Sequence, residues 1–266
     1  MKPVSGPSRL NQLGLSMDRS ALGQVGGTGS APDTGRHEPT SIVGRDFQPP
    51  GRTFSLAGAD LYRLNCQACH GPDGRGSPPE ITSLLDPVRG ASAELLTRRL
   101  EARGRAVDRA FVKSIVAGAE RDLLQRLAQG GKEMPPFGWL RDDERAAIIG
   151  YLMRLARVPE ARPEGPLVAE PSVRVGELLV KGTCHICHDA GGPRRDRMAV
   201  MMSGAIPALS TVVADYSLGQ IVEKVRTGQS GMMMMMRQSR MPAFPYITPE
   251  EAAAAVAYLT VVPPQP

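Results

Sequence analysis

Aromatic residues are scarce in this chain. They make up 4% of its 266 residues, with one tryptophan, five tyrosines and five phenylalanines. Large aromatic side chains usually supply much of the buried area of a core, so the core that this chain can form by itself is thin for its length. The length predicts one or two domains. Such domains would need a further large apolar group to fill them.

The sequence also lacks a long uninterrupted apolar segment. Its most apolar stretch, 198–214, is broken by Ser203, Gly204 and Pro207 and is too interrupted to span a bilayer. No signal peptide is visible, because Lys2 is not followed by an apolar region. The formal net charge is +5, but the basic residues form no run or aromatic-studded patch, so we expect no nucleic-acid partner.

Cysteine and histidine are limited to four residues each, and most of them belong to a repeated motif. The pattern C-x-x-C-H occurs at 66–70 and again at 184–188. Two thiols three positions apart on a helical turn can form thioethers to the vinyl groups of one porphyrin, and the histidine that follows can bind its iron. The sequence therefore predicts two covalently bound haem c groups. Their attachment residues are Cys66, Cys69, Cys184 and Cys187, and their histidine ligands are His70 and His188.

A single C-x-x-C pair has other interpretations, namely a redox dithiol or half of a zinc site. A zinc site needs two converging pairs, usually with short spacing, whereas Cys66 and Cys184 are 118 residues apart. A redox dithiol needs neither the flanking histidine nor its repetition. Haem attachment is the better interpretation. The other two histidines, His37 and His185, are expected at the surface and not as ligands.

Each motif is followed by a methionine in a proline-containing loop. Met134 begins Met-Pro-Pro-Phe, and Met241 begins Met-Pro-Ala-Phe. A thioether is a soft, neutral ligand for haem iron, so we predict Met134 and Met241 as the second iron ligands. A lone methionine is often core filler, and the helical spacing of Met153 favours that role for it. The run Met232–Met236 is interpreted as a flexible apolar patch over the haem or at an interface, with copper binding as a disfavoured alternative.

The second half of the chain repeats the first. A glycine stands eight residues before each motif, and a Tyr-Leu pair begins seventeen residues after each methionine. Only the middle differs in length, with 64 positions from His70 to Met134 and 53 from His188 to Met241. Insertions in connecting loops cost little free energy. Helical periodicity predicts helices over 58–65, 92–102, 109–127 and 142–156 in the first half.

Each half resembles a class I cytochrome c domain. In that family a first helix with a glycine and an aromatic leads into C-x-x-C-H, a loop methionine follows, and a last helix carrying Tyr-Leu packs across the first. The second half departs from this pattern at Val180, where an aromatic is usual. The matching positions are Gly58, Tyr62, Cys66, Cys69, His70, Met134, Tyr151 and Leu152, then Gly176, Cys184, Cys187, His188, Met241, Tyr258 and Leu259.

The resemblance implies an all-α fold with two cytochrome c-like haem domains joined by a Pro-rich linker. A Pro-rich linker is semi-rigid. The predicted division is an extended or disordered N-terminal tail over 1–53, a first domain over 54–157, the linker over 158–172, a second domain over 173–262 and a C-terminal tail over 263–266.

The resemblance also implies electron transfer. Two irons that both have histidine and methionine ligands leave no open position for a substrate, so we expect no catalytic residues and no small-molecule substrate. The expected partners are a redox donor and acceptor, in an extracytoplasmic or membrane respiratory or photosynthetic complex docked by the N-terminal tail. The alternative is a haem enzyme of dihaem peroxidase or thiosulfate-oxidising type, with one open or differently ligated haem.

Because c-type haem is normally attached outside the cytoplasm, we expect an extracytoplasmic protein whose targeting segment is not seen in this sequence.

Overall fold

A computed structural model describes residues 51–131, 134–162, 165, 167–189, 206–228 and 241–262. Within these residues the chain is mostly helical and adds one two-stranded antiparallel sheet. The elements in chain order are β1 (Thr53–Leu56), α1 (Gly58–Asn65), α2 (Gln67–His70), α3 (Leu85–Gly90), α4 (Ala93–Glu101), α5 (Arg109–Gln129), α6 (Asp142–Leu155), β2 (Val168–Pro171), α7 (Ser172–Gly182), a short 3₁₀ turn (Cys184–Ile186), α8 (Leu209–Asp215), α9 (Leu218–Thr227) and α10 (Pro249–Val261). The predicted helical class is confirmed, and most of the predicted N-terminal tail lies outside the described residues.

The four helices predicted in the first half are all present, with ends within two residues of the expected ones. Local capping explains where they begin. Asp60 accepts a hydrogen bond from the Ala57 amide at 3.0 Å, and the Ser92 hydroxyl accepts one from the Leu95 amide at 3.1 Å. Side-chain oxygens at these positions satisfy amides that have no partner within the helix. The starts of α1 and α4 are therefore encoded locally.

In each unit the first and last helices cross with their backbones in close contact. A side chain on Gly58 of α1 would place its Cβ 2.1 Å from the Ala147 carbonyl oxygen of α6. The same replacement at Gly176 of α7 would place it 2.0 Å from the Ala254 carbonyl oxygen of α10. Only glycine allows this approach. The repeated glycine of the sequence is thus the contact point of both helix pairs.

The aromatic of the first unit, Tyr62, supports the turn that follows the haem motif. Its ring lies 5.2 Å from that of Tyr151, and its buried hydroxyl donates to the Gly71 carbonyl at 2.6 Å. In the second unit Val180 is fully buried at the corresponding position. The helices of that unit cross nevertheless, because the glycine contact is retained.

The two units pack against each other through the C-terminal ends of α1 and α7. The Thr183 hydroxyl donates to the Leu64 carbonyl at 2.8 Å. A Cβ on Gly182 would lie 2.6 Å from the Asn65 side-chain oxygen, so no larger residue fits there. The sheet adds a second contact: β1, before α1, pairs antiparallel with β2, which lies in the predicted linker. Across the described residues, no helix combines the length and apolar character needed to cross a membrane.

We expect Gly176→Ala to lower the free energy of unfolding of the holoprotein by about 1–3 kcal/mol, because the added methyl must push α7 away from α10. Gly150→Ala is the matched control, since Gly150 lies inside α6 with nothing within 4 Å of an added Cβ. That substitution should stabilise the protein by about 0.5–1 kcal/mol. Denaturant titration measures both. Equal stability of the two variants would contradict the close crossing.

Candidate haem sites

Both C-x-x-C-H motifs begin where the first helix of a unit ends. In the first motif the Cys69 and His70 amides donate to the Cys66 carbonyl at 3.2 and 2.9 Å. In the second motif the Cys187 and His188 amides donate to the Cys184 carbonyl at the same two distances. This shared turn brings the backbones of the two cysteines and the histidine of each motif into one helical turn. Both motifs therefore have the backbone geometry that attachment of one porphyrin requires.

The two motif histidines are oriented by backbone carbonyls. His70 Nδ1 lies 3.2 Å from the Thr82 carbonyl oxygen, and His188 Nδ1 lies 2.8 Å from the Pro207 carbonyl oxygen. A ring that donates from Nδ1 to a carbonyl presents Nε2 as the nitrogen that can bind a metal. Sequence patterns missed these partners, since any residue can supply a carbonyl.

The third histidine of this region, His185, was expected at the surface. It is half-buried, with Nδ1 3.0 Å from the His188 carbonyl oxygen. Burial lowers the pKa of His185, and the hydrogen bond to His188 opposes that shift. His37 lies outside the described residues.

The loop that carries Met134 is closed on the end of α5. That helix stops at Gly130, whose φ of +73° favours glycine. The Gly131 amide donates to the Met134 carbonyl at 2.8 Å, and the Phe137 amide donates to the Leu127 carbonyl at 2.9 Å. The segment Met-Pro-Pro-Phe is therefore bound at one end to Gly131, just past α5, and at the other to the last turn of α5.

The loop that carries Met241 is closed in the same way on α9. Gly228 ends that helix with φ +70°, and the Phe244 amide donates to the Val225 carbonyl at 2.9 Å. The chain between glycine and methionine is longer here, with twelve residues (229–240) in place of three (131–133). Met232–Met236 belong to that longer stretch and lie outside the described residues, so their predicted role stays a prediction.

Burial alone does not single out the predicted methionine ligands. Met134 and Met153 are both partly buried against the core, and Met241 is also half-buried. Met153 differs from the other two in lying inside a helix, α6, rather than in a closed loop. The loop position, and not burial, separates Met134 and Met241 from core methionines.

The first thiol of each motif does not resemble a reactive or metal-binding thiolate. Burial raises the pKa of Cys66 and of Cys184 to about 12, whereas redox-active cysteines have a lowered pKa. In the parts of the chain that the structure describes, no three His, Cys, Asp or Glu side chains come together as a metal cluster. The arrangement favours thioether attachment over a zinc site or a redox dithiol.

The two attachment motifs lie close to each other. Burial raises the pKa of the Cys69 thiol, and the neighbouring Cys187 thiol of the second motif raises it further. Tyr246, from the second methionine loop, lies near both motifs: burial raises its pKa to about 12, and Cys69 and Cys184 act in the same direction. Its hydroxyl is buried and has no hydrogen-bond partner among the described residues. A buried hydroxyl between the two motifs that no described residue binds is what a haem edge at this position would require.

Crossed terminal helices, C-x-x-C-H directly after the first helix, and a closed methionine loop before the last define a c-type cytochrome with two units. The family model described as cytochrome C oxidase, cbb3-type, subunit III matches residues 55–152 and 171–259, and the chain belongs to that family. It is an electron-transfer protein with two covalently bound haem c groups. No solved structure matches this chain.

We expect Gly76→Ala to raise the reduction potential of the first haem and leave the second unchanged. An added Cβ at Gly76, where φ is +70°, would lie 2.4 Å from the Ile81 carbonyl oxygen and 2.9 Å from that of Thr82. Displacing Thr82 weakens its hydrogen bond with His70, and a less electron-rich imidazole stabilises ferric iron less well. Spectroelectrochemical titration measures both potentials.

Gly104→Ala is the control for backbone strain at Gly76. Gly104 has a similar φ of +65° but nothing within 4 Å of an added Cβ. Both variants carry the same conformational cost, yet only one displaces a carbonyl. If Gly76→Ala and Gly104→Ala shifted the reduction potential of the first haem equally, backbone strain and not the Thr82 carbonyl would be the cause.

Proposed function

We propose that this protein carries single electrons between two six-coordinate haems. His70 and Met134 are the ligands of the first iron, and His188 and Met241 are those of the second. One observation carries the proposal: both units hold the Nδ1 of their motif histidine on a backbone carbonyl. Haem iron supplies the one-electron chemistry when it is bound. Each Nε2 is then the nitrogen aimed at iron from one side.

The methionine loops support the other side of the coordination. Both loops leave a helix at a glycine with positive φ and return to that helix through the amide of a phenylalanine. The loop ends therefore hold Met134 and Met241 by the same contacts despite different loop lengths. A thioether on each iron leaves no position for a substrate, which favours electron exchange over a peroxidase or thiosulfate-oxidising reaction.

The nearness of the two motifs supports electron exchange within one chain. Cys187 is close enough to Cys69 to raise the pKa of the Cys69 thiol, and Tyr246 lies near both motifs. A donor can then deliver an electron at one unit while an acceptor removes it at the other. The division into units over 54–157 and 173–262, joined by 158–172, belongs to this proposal and is supported by the two matched segments.

The family description names a subunit of a cbb3-type cytochrome c oxidase, and this supports a place in a respiratory complex. We propose that the chain is a subunit of, or a carrier for, an extracytoplasmic or membrane electron-transfer complex. Its partners are a redox donor and a redox acceptor protein, and the tail 1–53 is the segment that docks on the complex.

Carbon monoxide binding to the ferrous protein tests the ligand sets. We expect the wild-type protein to show methionine-to-iron charge-transfer bands in the ferric form. In the ferrous form we expect no carbon monoxide shift within the time in which the methionine variants bind it, and only slow binding, limited by release of the methionine, on longer exposure. Met134→Ala should open the first haem and bind one equivalent, and Met241→Ala should do the same at the second. Met153→Ala should bind none, because Met153 lies in α6.

Carbon monoxide binding by the wild-type protein as fast as by the methionine variants would contradict the closed sites and bring the haem-enzyme alternative to the front. Binding by Met153→Ala alone, with Met134→Ala silent, would reassign the ligand of the first iron.

A further inference from the structure

Each unit ends in a helix whose third residue is a buried glutamate. Glu144 of α6 is fully buried, and Glu251 of α10 is 3% exposed. Each caps its own helix: Glu144 accepts the Arg141 amide at 2.7 Å, and Glu251 accepts the Thr248 amide at 2.9 Å. An amide hydrogen bond does not neutralise a buried carboxylate, which needs a cation beside it. In both cases the nearest cation comes from the other unit, at 2.5 Å, whereas Arg141 of the same unit lies 3.7 Å from Glu144.

Arg63, near the end of α1 in the first unit, reaches into the second. It donates two hydrogen bonds to Glu251, at 2.5 and 2.6 Å. It also donates to the Tyr246 carbonyl at 2.9 Å. One guanidinium therefore holds Tyr246, in the segment that joins Met241 to α10, and Glu251, in the first turn of α10. The hydrogen bond to Glu251 raises the pKa of Arg63, so the group stays charged.

Arg174, near the start of α7 in the second unit, makes the reciprocal contact. It donates two hydrogen bonds to Glu144, at 2.5 and 2.9 Å, and one to the Trp139 carbonyl at 3.3 Å. Its guanidinium also lies 5.6 Å from the centre of the Trp139 ring. Trp139 and Tyr246 hold the same place in the two units, five residues after the loop methionine.

We propose that Arg63 is a positioning residue for the Met241 loop and Arg174 for the Met134 loop, so that each unit holds the methionine side of the other unit's haem. This inference rests on Met134 and Met241 being iron ligands. Two anchors hold the chain on the C-terminal side of the loop methionine, three and five residues after it. One is the phenylalanine amide bound to the preceding helix, within the same unit, and the other is the arginine from the opposite unit.

Releasing the arginine removes the outer of these two anchors and leaves the phenylalanine contact in place, so the chain that carries the methionine is held less firmly. In Arg63→Gln the Tyr246 carbonyl and the Glu251 carboxylate lose their shared donor. The Met241 sulfur should then leave its iron more often, and carbon monoxide should bind the second haem faster. We expect an increase of about tenfold or more, the size associated with losing hydrogen bonds to a charged group. Arg174→Gln should produce the same change at the first haem.

The experiment measures carbon monoxide binding rates of the full ferrous holoprotein and the NMR signals of the iron-bound methionine methyls. Met134→Ala and Met241→Ala assign each rate and signal to one haem. The expected result is crossed: a change on α1 alters the second haem, and a change on α7 alters the first. An effect on the haem of the same unit, on both haems equally or on neither would overturn the proposal.

Two variants control for loss of a local ion pair. Asp60→Asn removes the partner that Arg63 has on its own helix at 3.1 Å, and Glu177→Gln removes the partner that Arg174 has on its own helix at 2.6 Å. Both leave the contacts between units in place, so both should keep wild-type binding rates. A rate increase in these controls as large as in the arginine variants would overturn the crossed roles.

Removing one member of a buried ion pair can unfold a protein, so a double variant keeps the test decisive. Arg63→Met with Glu251→Gln leaves no buried charge, and glutamine can still cap the helix. Methionine cannot donate to the Tyr246 carbonyl, so the second haem should remain faster than wild type. A wild-type rate in the double variant would mean that the charge and not the positioning matters.

Failure of the ligand assignment looks different from failure of this inference. If Met134 and Met241 were not ligands, the wild-type protein would bind carbon monoxide as fast as an open haem or lack the methyl signals before any arginine is changed.

Discussion

The backbone contact between the first and last helix of each unit is the constraint on which the haem sites depend. In the first unit it is made at Gly58 of α1 and Ala147 of α6. The C-x-x-C-H motif starts at the residue after α1, and the Met134 loop leads into α6. One helix crossing therefore fixes both sides of a haem site. Each covalently bound haem is a large apolar group, which would supply the buried area that the scarce aromatic residues do not.

That constraint also explains how the units tolerate different connecting segments. Between glycine and methionine the first loop has three residues and the second has twelve. In both, the phenylalanine amide returns to a carbonyl near the end of the preceding helix, at 2.9 Å. Loop-closure entropy grows only slowly with length, and these fixed ends set where the methionine lies. Additional residues can thus be accommodated without moving the candidate ligand.

What the sequence predicted and what it missed follow from the range of the interactions involved. Helices such as Gly58–Asn65 and Arg109–Gln129 were predictable because capping residues, periodicity and terminal glycines act within a few positions. The haem motifs were predictable because covalent attachment needs a set spacing. The carbonyl partners of His70 and His188 were not, since a carbonyl carries no residue signature. The pairing of β1 with β2 depends on how two distant segments pack, which no local pattern encodes.

The arginines between the units were the least predictable feature, although a signal for their partners existed. Glu144 and Glu251 both stand ten residues after the loop methionine, and a buried glutamate at that shared position implies a cation from elsewhere. Nothing nearby indicates which of the 32 lysines and arginines supplies it. The repeat itself would mislead, because Lys181 is the counterpart of Arg63, and it pairs with Glu177 on its own helix.

This departure from the repeat has a consequence for the two haems. Relative to the motif that follows each helix, Arg174 stands seven residues earlier than Arg63, about two helical turns. The two methionine loops are therefore held from different points on the opposite unit. Trp139 lies beside the Met134 loop, and the Lys181 ammonium lies 5.5 Å from the centre of the Trp139 ring. Beside the other lies Tyr246, whose buried hydroxyl has no partner among the described residues. The two attachment motifs have the same pattern but unequal surroundings, and this difference allows two haems in one chain to have different reduction potentials.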